Sequence, residues 1–469
     1  MKRLLPFLAT TATLLASDKP NVLFIFSDDQ SYDTIRAHGH LDIDTPNLDR
    51  LAERGTSFTH AYNMGAWQPA VCIASRSMLV TGRTLWRAHE QLPNQPADVE
   101  AGRFWPQRMA AQGYETYFSG KWHVRPRADQ AFEHTANIRG GMPRDVPEGY
   151  NRPIKGEPDP WSPSDPEFGG FWQGGKHWSE VLGDDGVAFL EQAAQSEKPF
   201  FMALHFNAPH DPRQAPQEYV DRYPLDRIAM PESFLPEYPQ KEAIRSGKGL
   251  RDERLAPFPR DEYSVKVNRQ EYFAIITHMD TQIGRILDAL EASGKADNTW
   301  IIFSSDHGLA VGHHGLMGKQ NMYDHSLRVP CIVVGPGVKA GAKIDAPIYL
   351  QDAMPTALEI AGANMDDIEF QSVLPILAGE KGGLDAVYGA YLDVQRAVIH
   401  DGWKLILYPD AKVTKLFNLN EDPQETQDLA ADPAMAERKK TLFAKFRELQ
   451  QRYDDPLDLE PVFPELTGS

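Results

Sequence analysis

Apolar residues along this chain gather in short, unbroken runs separated by stretches where they return every three or four positions. The runs are "NVLFIF" (21–26), "FFMALHF" (200–206), "TWIIF" (299–303) and "CIVVG" (331–335), with "YETYFSG" (114–120) as a weaker fifth member. Runs of this length with no polar alternation predict strands buried on both faces, as in a parallel sheet covered by helices. The clearest helical pattern covers about 268–293, where Tyr272, Ile276, Met279, Ile283, Ile286 and Leu290 fall on one face. Gly294 follows as a C-terminal stop. The alternation of strand and helix predicts an α/β fold.

Beyond about residue 380 the pattern changes. "YGAYLD", "RAVIHDGWKLILY" and "TKLFNL" predict a small antiparallel sheet, followed by a helix near 434–452. The expected division is a large domain over 17–380 and a C-terminal subdomain over 381–469. Two segments break the periodicity. Residues 140–180 are rich in Pro and Gly with interleaved aromatics, and a second Pro-rich insertion covers about 211–260. Loops this long in a compact domain usually carry function or stay disordered. The aromatic content favours an ordered rim.

The first residues, "MKRLLPFLATTATLLAS", place Lys2 and Arg3 before an apolar run and a small-residue cleavage site. This is the layout of a signal peptide over 1–16, too short for a membrane span. The protein is therefore expected to be exported, periplasmic or secreted, without stable membrane insertion. A net charge of −18 argues against nucleic acid as a partner. It does not exclude an anionic substrate, because a local cationic pocket overrides the mean field. The two cysteines, Cys72 and Cys331, lie far apart in sequence. Cys331 sits in an apolar run where a buried, inert thiol is the default. Cys72 stands beside Arg76 and needs its own explanation.

Polar groups follow each apolar run. Asp28 and Asp29 come after the first, Lys121 and His123 after "ETYFSG", His210 after "FFMALHF", and Asp306 and His307 after "TWIIF". In open α/β sheets, ligands bind beyond the carboxyl ends of the strands, so these groups are expected to share one crevice. Three carboxylates and an imidazole suit a hard divalent cation, Ca²⁺ or Mg²⁺. Lys121, His123, His210 and Lys319 add the donors that a tetrahedral oxyanion needs, phosphate or sulfate. Each motif has an ordinary alternative: "DD" as a helix cap, "GKWH" as a loop, "SDHG" as a turn. Their common position after successive strands favours the joint reading. Cys72 could act as a thiolate nucleophile lowered by Arg76, but a hard-cation site suits a thiol poorly.

"CIASRSMLVTGR" resembles the signature of the type I sulfatases, in the alkaline phosphatase superfamily. The likeness extends through "NVLFIFSDDQ", "TPNLDRLAERGTSFTHAY", "GKWH", "NAPHDP", "TWIIFSSDHG", "GHHGLMGKQNMYDHSLRVP" and "KLFNLNEDPQE". It implies an alkaline phosphatase-like fold: a large mixed, mostly parallel sheet sandwiched by helices. It implies that Cys72 is oxidised to Cα-formylglycine by a maturation enzyme, and that the hydrated aldehyde is the nucleophile. Asp28, Asp29, Asp306 and His307 would bind Ca²⁺ with the modified Cys72, and Arg76 would stabilise the hydrate. Lys121 and Lys319 would hold sulfate oxygens. His123 would take a proton to expel sulfate, and His210, with Lys319, would act as general acid toward the leaving oxygen.

The chain departs from the family pattern in places. Ala74 stands where many members have proline, which leaves the maturation system open. His307 replaces a common asparagine. His313 stands where a glutamate is common, and it either touches substrate or faces solvent. A sulfated carbohydrate is the expected substrate, with Trp161, Trp172, Trp178, Arg144, Arg152 and Arg213 as a sugar-binding rim. The alternatives are a phosphonate or phosphodiester hydrolase using the same chemistry, and a non-catalytic binder of sulfated glycans if Cys72 stays unmodified.

Overall fold

The computed structural model describes residues 19–39 and 41–467; the signal peptide expected over 1–16 lies outside them. The apolar runs form strands β1 (Asn21–Ser27), β4 (Glu115–Lys121), β6 (Phe200–His205) and β7 (Thr299–Ser305). They are joined by β2 (Thr56–Tyr62), β5 (His134–Arg139), β8 (Arg328–Val334), β9 (Ala342–Ile344) and β10 (Ile348–Tyr349). The order is β10-β2-β8-β7-β1-β6-β4-β5, with β9 also on β2. From β7 to β5 every pairing is parallel. The run 331–335 does supply β8, but β8 lies antiparallel to both β7 and β2. Only a 22-residue connection separates β7 from β8, and it is a polar loop without a crossover helix long enough to return the chain to the parallel direction. β2 escaped the apolar-run criterion because "TSFTHAY" is half polar.

The predicted long helix spans Glu262–Ala292 and buries its apolar stripe beneath β1, β6 and β7. Asp261 caps its start, accepting from the Ser264 N–H, which holds the first turn. Gly294 lies just past its end at φ 72°, a conformation that favours glycine. On the opposite face of the sheet a second apolar layer includes Leu79, Trp105 and Met354. Among the described residues no helix is long and apolar enough to cross a membrane.

The second sheet has the order β14-β13-β12-β11-β3. Its strands are β11 (Ala386–Tyr391), β12 (Gln395–His400), β13 (Trp403–Tyr408) and β14 (Val413–Asn418), with the helix Ala436–Arg452 packed on it. The fifth strand, β3 (Gly65–Ala66), comes from the first part of the chain and pairs in parallel with β11. Gly65 permits this approach: a Cβ there would lie 1.8 Å from the Ala390 carbonyl oxygen. The helix Val71–Thr81 starts five residues later, and its Val71, Ala74 and Met78 pack into the same apolar cluster as Tyr388, Val398 and Phe446. The second sheet therefore buttresses the segment that carries Cys72.

Between β7 and β8 a buried aromatic stack joins the two sheets. The His314 ring lies 3.8 Å from that of Tyr323, and His313 stacks on His325. Burial, with Lys404 adding to it, lowers the His314 imidazole from 6.5 to about 3. The unfolded chain therefore takes up this proton below about pH 6.5 while the folded chain refuses it until about pH 3. Stability present above that window is lost as pH falls through it, by about 1.4 kcal/mol per pH unit for one such group. His314→Asn, which tolerates the same left-handed backbone (φ 53°), is expected to flatten the dependence of urea midpoint on pH between 6.5 and 4. An unchanged slope would remove His314 from the account.

Candidate active site

Strands β1, β4, β6 and β7 run parallel, so their carboxyl ends share one edge, and the polar groups after them meet there. Asp28 and Asp29 follow β1, Lys121 ends β4, and Asp306 and His307 follow β7; all are buried. Cys72 arrives from the side, on the first turn of the helix Val71–Thr81. Arg76 lies one turn further on the same face, as an i,i+4 pair must. Helix N-termini favour negative charge, so a thiolate or an oxyanion gains from this placement.

Three buried carboxylates face three buried cations. The Lys121 ammonium donates to Asp28 Oδ2. Arg76 Nε donates to Asp306 Oδ2 at 3.0 Å, and its Nη1 to the Lys121 carbonyl at 2.7 Å. Lys319 Nζ donates to both Asp29 oxygens at 3.0 and 2.8 Å. The Asp29 backbone N–H donates to Asp306 Oδ1 at 3.2 Å, which ties the ends of β1 and β7 together. Asp29 itself sits at φ 69°, a strained position held by Tyr272 of the long helix, whose hydroxyl donates to the Asp29 carbonyl at 2.6 Å.

His307 Nε2 lies 3.1 Å from Asp29 Oδ1 and 3.3 Å from Cys72 Sγ. Its Nδ1 donates to the Gly308 carbonyl at 2.9 Å, which fixes the tautomer. Burial would lower this imidazole, but Asp306 and Asp29 outweigh it and raise it to about 9. Burial and Asp306 together push the Asp28 carboxyl well up, against the pull of Lys121. Burial pushes the Cys72 thiol up, yet Lys121, Lys319 and His307 bring it well below its ordinary value. Cys331, buried in β8 without such neighbours, is pushed up to about 12.

These residues fit a hard cation. Donor atoms of Asp28, Asp29, Cys72 and His307 all lie within 4.8 Å of one another. Asp28 Oδ1 is buried with no hydrogen-bond partner, and an orphaned carboxylate oxygen in that position is costly unless a cation meets it. The field that draws a proton onto His307 is the field that would draw a metal ion. A divalent ion held there would add to the charge of Lys121, Arg76 and Lys319 and suit the pocket to an oxyanion.

A cavity of about 510 Å³ opens onto this cluster, lined by Cys72, His123, His210, Arg251, Asp252 and Lys319 among others. His123 and Cys72 share this lining. Burial lowers the His123 imidazole against the opposing pull of Cys72, so it stays neutral, as a proton acceptor must. Gly141 packs flat on His123: a Cβ there would come within 2.5 Å of the ring. His210 Nε2 lies 3.1 Å from Lys319 Nζ, and its Nδ1 is 2.8 Å from the Asp211 carbonyl.

Other expected site residues lie elsewhere. His313 is buried against Ser233 and His325, facing neither substrate nor solvent. Arg213 is buried with Nη1 on Asn268 Oδ1 at 3.0 Å, outside the residues that line the cavity. The expected aromatic rim is corrected likewise. Trp161 and Trp178 are core residues, Arg152 is clamped between Asp159 and Glu271, and Trp172 and Arg144 do not line the cavity. Both insertions do reach it, but through Met142 and through Leu250, Arg251 and Asp252. Sequence reasoning missed Arg251 and Asp252. The run "GLRDERL", a charged cluster inside a Pro-rich insertion, is the signal that could have drawn attention to them.

The sulfatase family model matches residues 20–363, and that of the N-sulphoglucosamine sulphohydrolase C-terminal region matches 312–452. A sulfatase of Formosa agariphila is 30% identical over 433 residues, covering 87% of this chain and 82% of its own. The N-acetylglucosamine-6-O-sulfatase of Bacteroides thetaiotaomicron is 26% identical, covering 95% of this chain and 89% of its own. Among solved structures, BT4656 in complex with its substrate D-glucosamine-2-N,6-O-disulfate superimposes with a TM-score of 0.72 at 23% identity, over 94% of this chain and 99% of its own. The phosphonate monoester hydrolase of Agrobacterium radiobacter gives 0.70 at 20% identity, over 92% and 96%.

Arg76 is 1% exposed and shared between Asp306, the Lys121 carbonyl and the Phe26 ring. Arg76→Leu strands buried carboxylate charge, which costs about 3–5 kcal/mol when one partner of a buried pair is removed. Urea unfolding in metal-free buffer is expected to show a loss of that size. A loss below about 1 kcal/mol, the value of an exposed pair, would show that the carboxylates are neutral there.

Proposed function

Since this chain belongs to the sulfatase family and is a sulfuric ester hydrolase, we propose that it is an exported enzyme that removes sulfate from a carbohydrate, using formylglycine at position 72 and Ca²⁺. One observation supports the reading: Cys72, Asp28, Asp29, Asp306 and His307 meet Lys121, His123, His210 and Lys319 at the carboxyl edge of the parallel strands. The carbohydrate is supported by the glycan names of several relatives, and export by the layout of residues 1–16.

Oxidation of Cys72 would supply an aldehyde hydrate on the first helical turn, and a Ca²⁺ ion held by Asp28, Asp29, Asp306 and His307 would supply positive charge beside it. The remaining work belongs to this chain's side chains. Lys121 and Lys319 stand on either side of position 72, each with donors left to meet sulfo oxygens once the cation relieves the aspartates. Arg76, fixed by Asp306 and the Lys121 carbonyl, orients the nucleophile's side of the pocket. His123 is neutral and lines the crevice together with residue 72, so it is placed to accept the proton that residue 72 must release. His210 takes a hydrogen bond from Lys319 at 3.1 Å, and the pair offers a proton to the leaving sugar oxygen. The fixed charges need little reorganisation during the reaction.

The peptide containing residue 72 is expected to lack one sulfur and two hydrogens and to gain one oxygen relative to cysteine, by mass spectrometry of protein matured with a formylglycine-generating enzyme. An unmodified thiol in fully active protein would sink this route. Turnover of 4-nitrophenyl sulfate is expected to exceed that of bis(4-nitrophenyl) phosphate; the reverse order would assign the chain to phosphodiester chemistry. Removal of divalent ions with EDTA is expected to abolish sulfate release and lower the melting temperature, and Ca²⁺ to restore both. Retained activity after exhaustive chelation would exclude the metal.

A further inference from the structure

Next to the crevice lies a second, larger cavity of about 730 Å³. The two share His123, and the chain passes from one to the other through Gly140 and Gly141. The strip between them is bare backbone, because the His123 ring leaves no room for a side chain at Gly141. Its carbonyls are held by Asn207 Nδ2, at 3.3 Å from the Gly141 oxygen. The larger space is therefore a continuation of the substrate crevice.

Arg125, Arg127 and Arg139 all face it, and among the described residues no aspartate or glutamate lines it, although the chain carries a net charge of −18. Arg139 is half-buried, and among the described residues its guanidinium makes no hydrogen bond or ion pair. Its guanidinium lies flat on the Trp178 ring at 3.9 Å and feels Asp185 only through space, since that carboxylate accepts from Ser119 and Asn137. Burial lowers its pKa, so holding this charge without an anion is a cost to the fold. Arg125 is exposed and has no ion pair among the described residues, and Arg127 is paired with Asp129. The apolar part of the wall includes Ile73, Trp122 and Ile138, which at 41% is one of the few large apolar side chains left exposed. Guanidinium groups beside flat apolar surface match a sugar ring that carries an oxyanion.

We propose that this cavity is a subsite for a second anionic group, a sulfo or carboxylate group on the sugar next to the one that loses its sulfate. Arg139 is the anchor, Arg125 and Arg127 guard the mouth, and the Ile73–Trp122–Ile138 wall receives the ring face. The substrate is then a polyanionic oligosaccharide. The inference rests on the proposed sulfatase reading for which sugar occupies the crevice, but the second site binds its anion without turnover.

Calorimetry on the Cys72→Ala protein separates the two. Sucrose octasulfate, with sulfates on both rings, is expected to bind at least about tenfold more tightly than inorganic sulfate, which fills only the crevice; one good charged contact corresponds to roughly that factor. Arg139→Gln, alone and with Arg125→Gln, is expected to remove that advantage and leave inorganic sulfate binding unchanged. Arg125→Gln alone, at an exposed position that cannot disturb folding, is expected to give a partial loss. Arg438→Gln, on the distant C-terminal helix, is expected to have no effect. Trigalacturonate identifies the anion: Arg139-dependent binding means a carboxylate is accepted, and binding of octasulfate alone means a sulfo group is required. Equal affinity of octasulfate and inorganic sulfate, retention of the advantage in both arginine variants, or an equal loss in Arg438→Gln would overturn the proposal. Loss of inorganic sulfate binding alone, with Arg139-dependent octasulfate binding retained, would count against the sulfatase reading and not against the subsite.

Discussion

Three carboxylates buried at one edge of a sheet repel each other, and the rest of the site follows from how that repulsion is contained. Asp28, Asp29 and Asp306 sit on the ends of adjacent parallel strands, where water cannot screen them. Lys121, Arg76 and Lys319 each neutralise one, and each arrives from a different part of the chain. The cations do more than balance charge. Through them the helix that carries Cys72, β4 and the loop after β7 are tied to the ends of β1 and β7, so electrostatic compensation also sets geometry. The field that remains lowers the Cys72 thiol and raises the His307 imidazole.

Much of this was legible in the sequence because parallel strands are buried on both faces. A strand that meets apolar layers above and below has no room for alternation, so β1, β6 and β7 stand out as unbroken runs, and the polar residues after them fall where the sheet ends. β2 was not legible by that rule. It lies toward the margin of the sheet, two of its residues are only partly buried, and "TSFTHAY" carries hydroxyls that bond to neighbouring loops. The direction of β8 was not legible either, since a run of valine and isoleucine fits both senses equally.

The loops were the hard part. Tryptophan and arginine in a Pro-rich insertion read as a surface for sugars, yet Trp161 and Arg152 are buried among partners up to 119 positions distant, such as Glu271. Composition reports what a loop could do, while burial depends on contacts far along the chain that local pattern does not encode. The same limit hid Asp252, whose carboxylate enters the crevice because Gln320 donates to it at 2.8 Å. His313 illustrates the converse: an apparent polar site residue is consumed by an aromatic stack.

The short pairing of Gly65–Ala66 with Ala390–Tyr391 has a bearing on how the molecule comes into being. During synthesis the segment leading to residue 72 emerges early, but the strand that seats it is made more than three hundred residues later. Until then the helix Val71–Thr81 lacks one wall of its packing. Contacts so distant in sequence form late. The packing that seats this helix is therefore completed only once the C-terminal part of the chain has been made.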